Sequence, residues 1–262
     1  MIRLVASDLD GTILQNGATE VSEEMFECIR EMKKRGILFV IASGRQHDSL
    51  ANLFAPVKDD IAFICENGGA VFCGGKLIHC HYIDMELQKR IIRLMEASPG
   101  TELLISDEVQ CYIKPKKDTF PQVVRNIGNK YDLVEDWETF DHRTTKLAMY
   151  EEEAIGNEAK RLAYWQKTIP APAWPVTAGI GWIDVIFPWS NKGVGMKALQ
   201  ERLGILPEEC AAFGDNLNDM ELFDACGWKV AVENAKEPLK KRADAITPTV
   251  PEYIRKLLKE QF

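Results

Sequence analysis

Over its first 70 residues the chain alternates short, nearly continuous apolar runs with amphipathic stretches. Residues 3–7 form one run ending at Asp8, residues 37–42 a second ending at Ser43-Gly44-Arg45, and residues 61–65 a third ending at Glu66-Asn67-Gly68. Runs of this length without polar alternation are the pattern of strands buried on both faces. Between the first two, Met25, Ile29 and Met32 fall on one helical face. Ser22 is placed to cap that helix, Glu23 and Glu24 suit its first turn, and Lys33-Lys34-Arg35-Gly36 suits its end. A helix through Leu50 and Phe54 is expected between the second and third runs. Strands separated by helices point to a parallel sheet covered by helices.

The pattern then changes. Val71-Phe72 and Leu77-Ile78 flank Gly74-Gly75 and predict a hairpin. Helices are expected over 85–97, 120–131 and 157–167, with strands over 102–105, 109–113, 145–150 and 181–187. The stretch Pro170-Ala171-Pro172-Ala173-Trp174-Pro175 reads as a surface loop with a rigid extended run. From Lys192 the first pattern returns, with a helix to Leu203, a strand over 211–213, a helix over 220–225 and a strand over 229–232. Helices near Glu237 and over 250–258 complete it. The prediction is an α/β protein with a Rossmann-like parallel-sheet core, residues 1–82 and 188–262, interrupted by a smaller α+β domain over 83–187.

Composition narrows the classes. A hydrophobic share of 46% in 262 residues can bury a sizeable core without a metal or disulfide. The net charge of −8 argues against a general nucleic-acid or anionic-membrane binder. The seven cysteines form no C-x-x-C pair and, with the four histidines, no zinc spacing. The run at residues 1–6 is short for a signal peptide, and no apolar stretch reaches membrane-spanning length. A cytoplasmic protein, a monomer or weak homodimer, is expected.

In open α/β sheets the ligand crevice lies at the carboxyl ends of the strands. Asp8 and Asp10 follow the first strand, Ser43 the second, Asn67 the third, and Asp215 the strand ending at Phe213. Any one of these alone is an ordinary turn or cap residue; their convergence on one edge is the signal. In Asp8-Leu9-Asp10-Gly11-Thr12 the chain is leaving a strand, so the two carboxylates take different environments. One can attack an electrophile while the other handles a proton. Gly214-Asp215-Asn216-Leu217-Asn218-Asp219 brings two more carboxylates, a set suited to Mg²⁺. Lys192 opens a helix, where the macrodipole opposes a cation, which hints at an anionic partner, although an exposed surface lysine is the default. Ser43 and adjacent amides before a helix suit phosphate oxygens. Together these are groups for phosphoryl transfer.

In order along the chain, Asp8-Leu9-Asp10-Gly11-Thr12, Ser43-Gly44-Arg45, Lys192 and Gly214-Asp215-Asn216-x-Asn218-Asp219 resemble the four motifs of the haloacid dehalogenase superfamily. The insert between the second and third motifs is similar to that of the type IIB capped, Cof-type phosphatases. Glu66-Asn67-Gly68 and Val230-Ala231-Val232-Glu233-Asn234-Ala235 resemble further signatures of that subgroup. The likeness spans the whole chain in motif order and is weak within the insert.

The resemblance implies that Asp8 is a nucleophile forming an aspartyl-phosphate, and that Asp10 protonates the leaving oxygen and then activates water. It implies that Ser43 and Lys192 hold the phosphoryl group, aided by the amides of Leu9 and Gly44, with Thr12 beside them. Asp8, the backbone oxygen of Asp10, and Asp215 would bind Mg²⁺, with Asp219 or Asn218 completing or orienting the shell. Arg45, Asn67 and Asn218 would meet the substrate or the phosphate surroundings.

On this resemblance the domain over 83–187 is a cap that closes over the crevice, hinged near His81-Tyr82 and Phe187-Pro188. Trp174, Trp182 and Lys146 are candidates for its inner face, with packing or solvated surface favoured for each. Trp189, close to Lys192, suits either the substrate pocket or hinge packing, with packing favoured. The implied activity is Mg²⁺-dependent hydrolysis of a small phosphorylated metabolite, a sugar phosphate being the class expected. A phosphomutase of the same fold is one alternative, and a non-catalytic phospho-receiver or metabolite sensor another. The pair Asp8 and Asp10 argues against a receiver, which should preserve its phosphoryl group.

Overall fold

The three N-terminal apolar runs are strands, and helices separate them. In the computed structural model, which describes residues 1–178 and 180–260, β1 (Leu4–Ser7), α1 (Glu23–Lys34), β2 (Leu38–Ala42), α2 (His47–Leu53) and β3 (Ile61–Cys65) alternate. Strands β4 (Ala70–Cys73) and β5 (Lys76–Cys80) follow, joined through Gly74 and Gly75. The Ser22 hydroxyl accepts a hydrogen bond from the Met25 amide at 3.3 Å, a cap worth about 1 kcal/mol. Met25, Ile29 and Met32 are buried, as their spacing required.

The middle of the chain runs α3 (Met85–Glu96), β6 (Glu102–Ser106), β7 (Cys111–Ile113), α4 (Phe120–Asn126), β8 (Tyr131–Leu133), β9 (Lys146–Tyr150), α5 (Glu158–Thr168), β10 (Trp174–Thr177) and β11 (Trp182–Ile186). The first pattern resumes with α6 (Lys192–Leu203), β12 (Cys210–Gly214), α7 (Met220–Asp224) and β13 (Trp228–Val232), then α8 (Glu237–Lys240), β14 (Ala245–Thr247) and α9 (Val250–Glu260). The chain divides into two units: Met1–His79 with the chain from Asn191 onward, and Cys80–Ser190.

In the first unit the sheet order is β14-β13-β12-β1-β2-β3-β4-β5. The six strands from β14 to β3 are parallel, and β4 runs antiparallel to β3. Every residue of β1, β3 and β12 is buried, as expected of strands covered on both faces. Central β1 pairs with β2 on one side and β12 on the other, so the chain order reverses beside it. That reversal opens a crevice at the carboxyl ends of the strands.

In the second unit the order is β10-β11-β9-β6-β7-β8, antiparallel except for the β7–β8 pair. One face, with Leu103, Ile105, Leu147 and Met149, packs on Ile91, Ile92 and Met95 of α3 and Trp165 of α5. On the opposite face Leu104, Ile113 and Ala148 pack on Phe120 and Val124 of α4.

Three short strands depart from the sequence expectation. Helix α4 ends at Asn126 rather than near Tyr131, the chain turns at Gly128, and Tyr131–Leu133 pairs with β7. Part of the Pro-rich stretch is strand β10: Trp174 and Pro175 pair with β11 at the edge of the sheet, where a proline can be tolerated. Strand β14, with three residues, is too short to show a period. Among the described residues no helix is long and apolar enough to cross a membrane.

Candidate active site

Asp8 leaves the sheet directly after β1, its amide still donating to the Phe213 carbonyl at 3.0 Å. Beyond it the chain folds tightly: the Leu9 carbonyl accepts from the amides of Thr12, Ile13 and Leu14 at 3.3, 2.9 and 2.8 Å, and Leu9 itself is buried. Gly11 has φ +91°, and a Cβ there would lie 2.4 Å from Asp215 Oδ2. Glycine therefore serves both the turn and the close approach of the Asp215 carboxylate. Thr12 Oγ1 donates to Asp215 Oδ1 at 3.2 Å, joining the first and last motifs across 203 residues. Asn234, from the late turn, donates to the Gly11 carbonyl at 2.8 Å, and the Lys236 amide donates to the Asp215 carbonyl at 2.8 Å.

Lys192 is the buried cation of this edge. Its Nζ donates to Asp8 Oδ1 and to Asp219 Oδ1, each at 2.6 Å, and its side chain is 1% exposed. These carboxylates are the anionic partner at which a lysine in the first helical turn hinted, and the default of an exposed surface lysine does not hold. Burial alone would lower the Lys192 ammonium, but the charges of Asp219 and Asp8 outweigh it and hold the group protonated. Both oxygens of Asp219 are engaged: Oδ2 accepts from the amides of Asp215 and Asn216 at 3.0 and 3.1 Å. Asp219 thus orients Lys192 and the Asp215 loop.

One ammonium faces three carboxylates. Burial pushes the Asp8 carboxyl up to about 8, with Lys192 opposing and Asp219 and Asp215 adding to the rise. Burial, followed by the charge of Asp219, also raises Asp215. Asp8 Oδ2 is buried and accepts no hydrogen bond. One oxygen from each of Asp8, Asp215 and Asp219 lies within 4.8 Å of the others. Excess negative charge and a cluster of hard oxygen donors fit a hard divalent cation.

The remaining candidates sit on adjacent strand ends. Ser43 is buried after β2; its hydroxyl accepts from the Arg45 amide at 3.2 Å and its carbonyl from the Asn67 amide at 3.0 Å. Gly44 packs against the Asn67 side chain, to which a Cβ would come within 3.0 Å. Arg45 grips Asp10 bidentately, Nε to Oδ2 at 2.9 Å and Nη2 to Oδ1 at 2.6 Å. Asp10 is half-exposed and faces Arg45, whereas Asp8 is enclosed; the two carboxylates do occupy different environments. Asn218 is exposed on the single turn Leu217–Asp219.

The candidates in the second unit divide differently. Trp189 stacks between Phe187 and His81, with ring centroids at 5.4 and 5.5 Å, which is packing at the two connecting segments. Trp182 packs on Tyr150 at 5.1 Å, Lys146 Nζ lies 2.9 Å from Asp184 Oδ2, and Trp174 is exposed. The Arg45–Asp10 grip and the Asn234 bridge had no signal in composition or period, although Asn234 lies inside a quoted motif.

The sequence profile of the haloacid dehalogenase-like hydrolases matches residues 5–252. The chain is 30% identical over 236 residues to the 5-amino-6-(5-phospho-D-ribitylamino)uracil phosphatase YbjI of Escherichia coli (strain K12), covering 89% of this chain and 86% of that protein. It is 30% identical over 268 residues to phosphoglycolate phosphatase 1 of Saccharolobus solfataricus, covering 100% and 98%. The fold is shared with the HAD subclass IIB sugar phosphatase BT4131 at a TM-score of 0.80 and 20% identity, over 97% of this chain and 98% of that one.

Proposed function

The chain belongs to the haloacid dehalogenase-like hydrolase family, and on that premise we propose a Mg²⁺-dependent phosphatase that hydrolyses a small phosphorylated metabolite, a sugar phosphate, through an aspartyl-phosphate on Asp8. The observation that carries this reading is the state of the Asp8 carboxyl. It is enclosed at the end of the central strand, with Oδ1 fixed by Lys192 and Oδ2 unbonded. A carboxylate held by one oxygen presents the other as an oriented nucleophile.

In the first step Asp8 Oδ2 attacks phosphorus, and the bond from phosphorus to the leaving oxygen breaks as Asp10, which exchanges its Arg45 fork for a proton when substrate is bound, gives that oxygen the proton. In the second step Asp10 takes a proton from water, whose oxygen attacks phosphorus. The bond from Asp8 to phosphorus then breaks, orthophosphate leaves and Asp8 is a carboxylate again. Lys192, the Ser43 hydroxyl and the amides of Leu9 and Gly44 hold the phosphoryl oxygens. Asp8, Asp215 and the backbone oxygen of Asp10 would hold Mg²⁺, which supplies charge neutralisation at the phosphoryl oxygens. Thr12 and Asp219 keep the Asp215 loop in place, and Arg45, Asn67 and Asn218 meet the substrate.

The two relatives named above support a phosphorylated small molecule as substrate, one of them acting on a ribityl phosphate by its name. The inserted unit takes the part of the specificity domain in this reading. The test is orthophosphate release from a panel of sugar phosphates and an aryl phosphate, with Mg²⁺ or chelator. Steady Mg²⁺-dependent release supports hydrolysis. Phosphoryl return to the sugar without release indicates a mutase, and no reaction with any member contradicts the reading.

A further inference from the structure

We propose that Gly68 is a positioning residue for Lys192: the turn at residues 66–68 is a backbone stop that sets the depth of the α6 N-terminus against the phosphoryl site. The proposal deepens the phosphatase reading and rests on it.

The turn is locked to the loop after β2. Glu66 donates its amide to the Arg45 carbonyl at 3.1 Å and Asn67 to the Ser43 carbonyl at 3.0 Å. Glu66, Asn67 and Gly68 all have positive φ, 53°, 53° and 98°, so the backbone there folds back over three consecutive residues. Two of these residues bear side chains, in a region few non-glycine residues adopt. The fold-back brings Gly68 directly onto Asn191, where a Cβ would lie 2.0 Å from the carbonyl oxygen and 2.6 Å from the carbonyl carbon.

Asn191 begins α6. Its side chain accepts from the Val194 amide at 2.9 Å, and its carbonyl accepts from Gly195 at 3.2 Å. On the opposite side, a Cβ at Gly193 would lie 2.3 Å from the Glu221 carbonyl oxygen. Lys192 is therefore flanked by two residues whose backbones are each wedged against another backbone. Its Nζ then reaches Asp8 and Asp219 at 2.6 Å each, with almost no exposed surface through which to readjust.

A methyl group at residue 68 needs about 3.5 Å from the Asn191 carbonyl, so α6 must retreat by more than 1 Å. Displacements of about 1 Å in a catalytic constellation lower turnover about a hundredfold. Gly75 supplies the control. It has φ +69° and nothing within 4 Å of a Cβ, so Gly75→Ala carries the same left-handed backbone strain without the contact. Gly193→Ala presses the α6 N-terminus against the Glu221 backbone and involves no left-handed backbone, so it reads the same displacement if Gly68→Ala does not fold.

The experiment measures kcat, KM and melting temperature for wild type and these three variants, with the most active sugar phosphate of the panel and saturating Mg²⁺. It repeats Gly68→Ala and Gly193→Ala in a Lys192→Met background. The expected result is a roughly hundredfold lower kcat in Gly68→Ala and Gly193→Ala, with KM changed far less and Gly75→Ala like wild type in kcat. In the Lys192→Met background neither substitution lowers kcat further, because the group they displace is gone. Folded Gly68→Ala and Gly193→Ala with wild-type kcat overturn the proposal while the phosphatase reading stands. So does an equal loss in Gly75→Ala, or an undiminished loss in the Lys192→Met background. Absence of phosphate release by wild type overturns the phosphatase reading itself, and the positioning role with it.

Discussion

Lys192 and Asp219 form a 2.6 Å ion pair in which the side chains are 1% and 0% exposed, and the same ammonium also holds Asp8. A charge pair this enclosed is not replaceable piecemeal. Removing one partner leaves the other charged and without water, a loss of about 3–5 kcal/mol. Lys192→Met is expected to destabilise the metal-free protein by that amount in urea titration, besides lowering turnover about 10²–10³-fold. An unchanged midpoint and slope would show that the carboxylates do not depend on Lys192.

The Arg45–Asp10 pair predicts the opposite balance. Its side chains are 34% and 52% exposed, so solvent screens it and its share of stability is at most about 1 kcal/mol. Arg45→Ala should leave the urea midpoint nearly unchanged yet lower turnover about tenfold or more, since the substrate loses the guanidinium that meets it. Equal kcat in the variant and wild type contradicts a catalytic use of Arg45.

The raised Asp8 carboxyl predicts a pH dependence with a definite sign. Its folded value is about 8 and its reference value 3.8, so between them the folded state keeps a proton that the unfolded state has lost. Stability from this group is full below about pH 4 and is lost as pH rises toward about 8. A Mg²⁺ ion held by Asp8, as proposed, would compete with that proton. The rise in melting temperature on adding Mg²⁺ should therefore grow from pH 5.5 to pH 8.5; a constant or shrinking rise counts against Asp8 as a ligand.

Asp8→Asn separates chemistry from stability. The amide cannot act as the nucleophile, and turnover should fall by about 10⁴-fold or more. The substitution also removes one of three clustered carboxylates, so the metal-free variant should melt above wild type at pH 8.5. Turnover near wild type would refute the assignment of Asp8.

Much of this arrangement was legible before the structure. The continuous apolar runs announced β1, β2 and β3 because strands buried on both faces tolerate no polar alternation. For Lys192 the local pattern only hinted at a partner, because a cation in a first helical turn opposes the dipole; an exposed surface lysine was the default, and burial against Asp8 and Asp219 decides it. The short strands β8 and β14 carried too few residues for a period. The proline in β10 masked an edge strand. The contacts of Gly68 with Asn191 and of Arg45 with Asp10 join residues 123 and 35 positions apart, and only three-dimensional packing reveals them. Local sequence could announce which residue types gather at the strand ends, but not which atoms they grip.

In the proposed mechanism Asp8 carries the phosphoryl group during turnover. The most direct test is rapid quenching of the reaction with substrate labelled in the phosphoryl group, followed by peptide mapping. A transient, hydroxylamine-sensitive label on the peptide bearing Asp8 is expected, formed and lost at rates compatible with turnover. Steady phosphate release with no such label, or with the label on another residue, contradicts that mechanism.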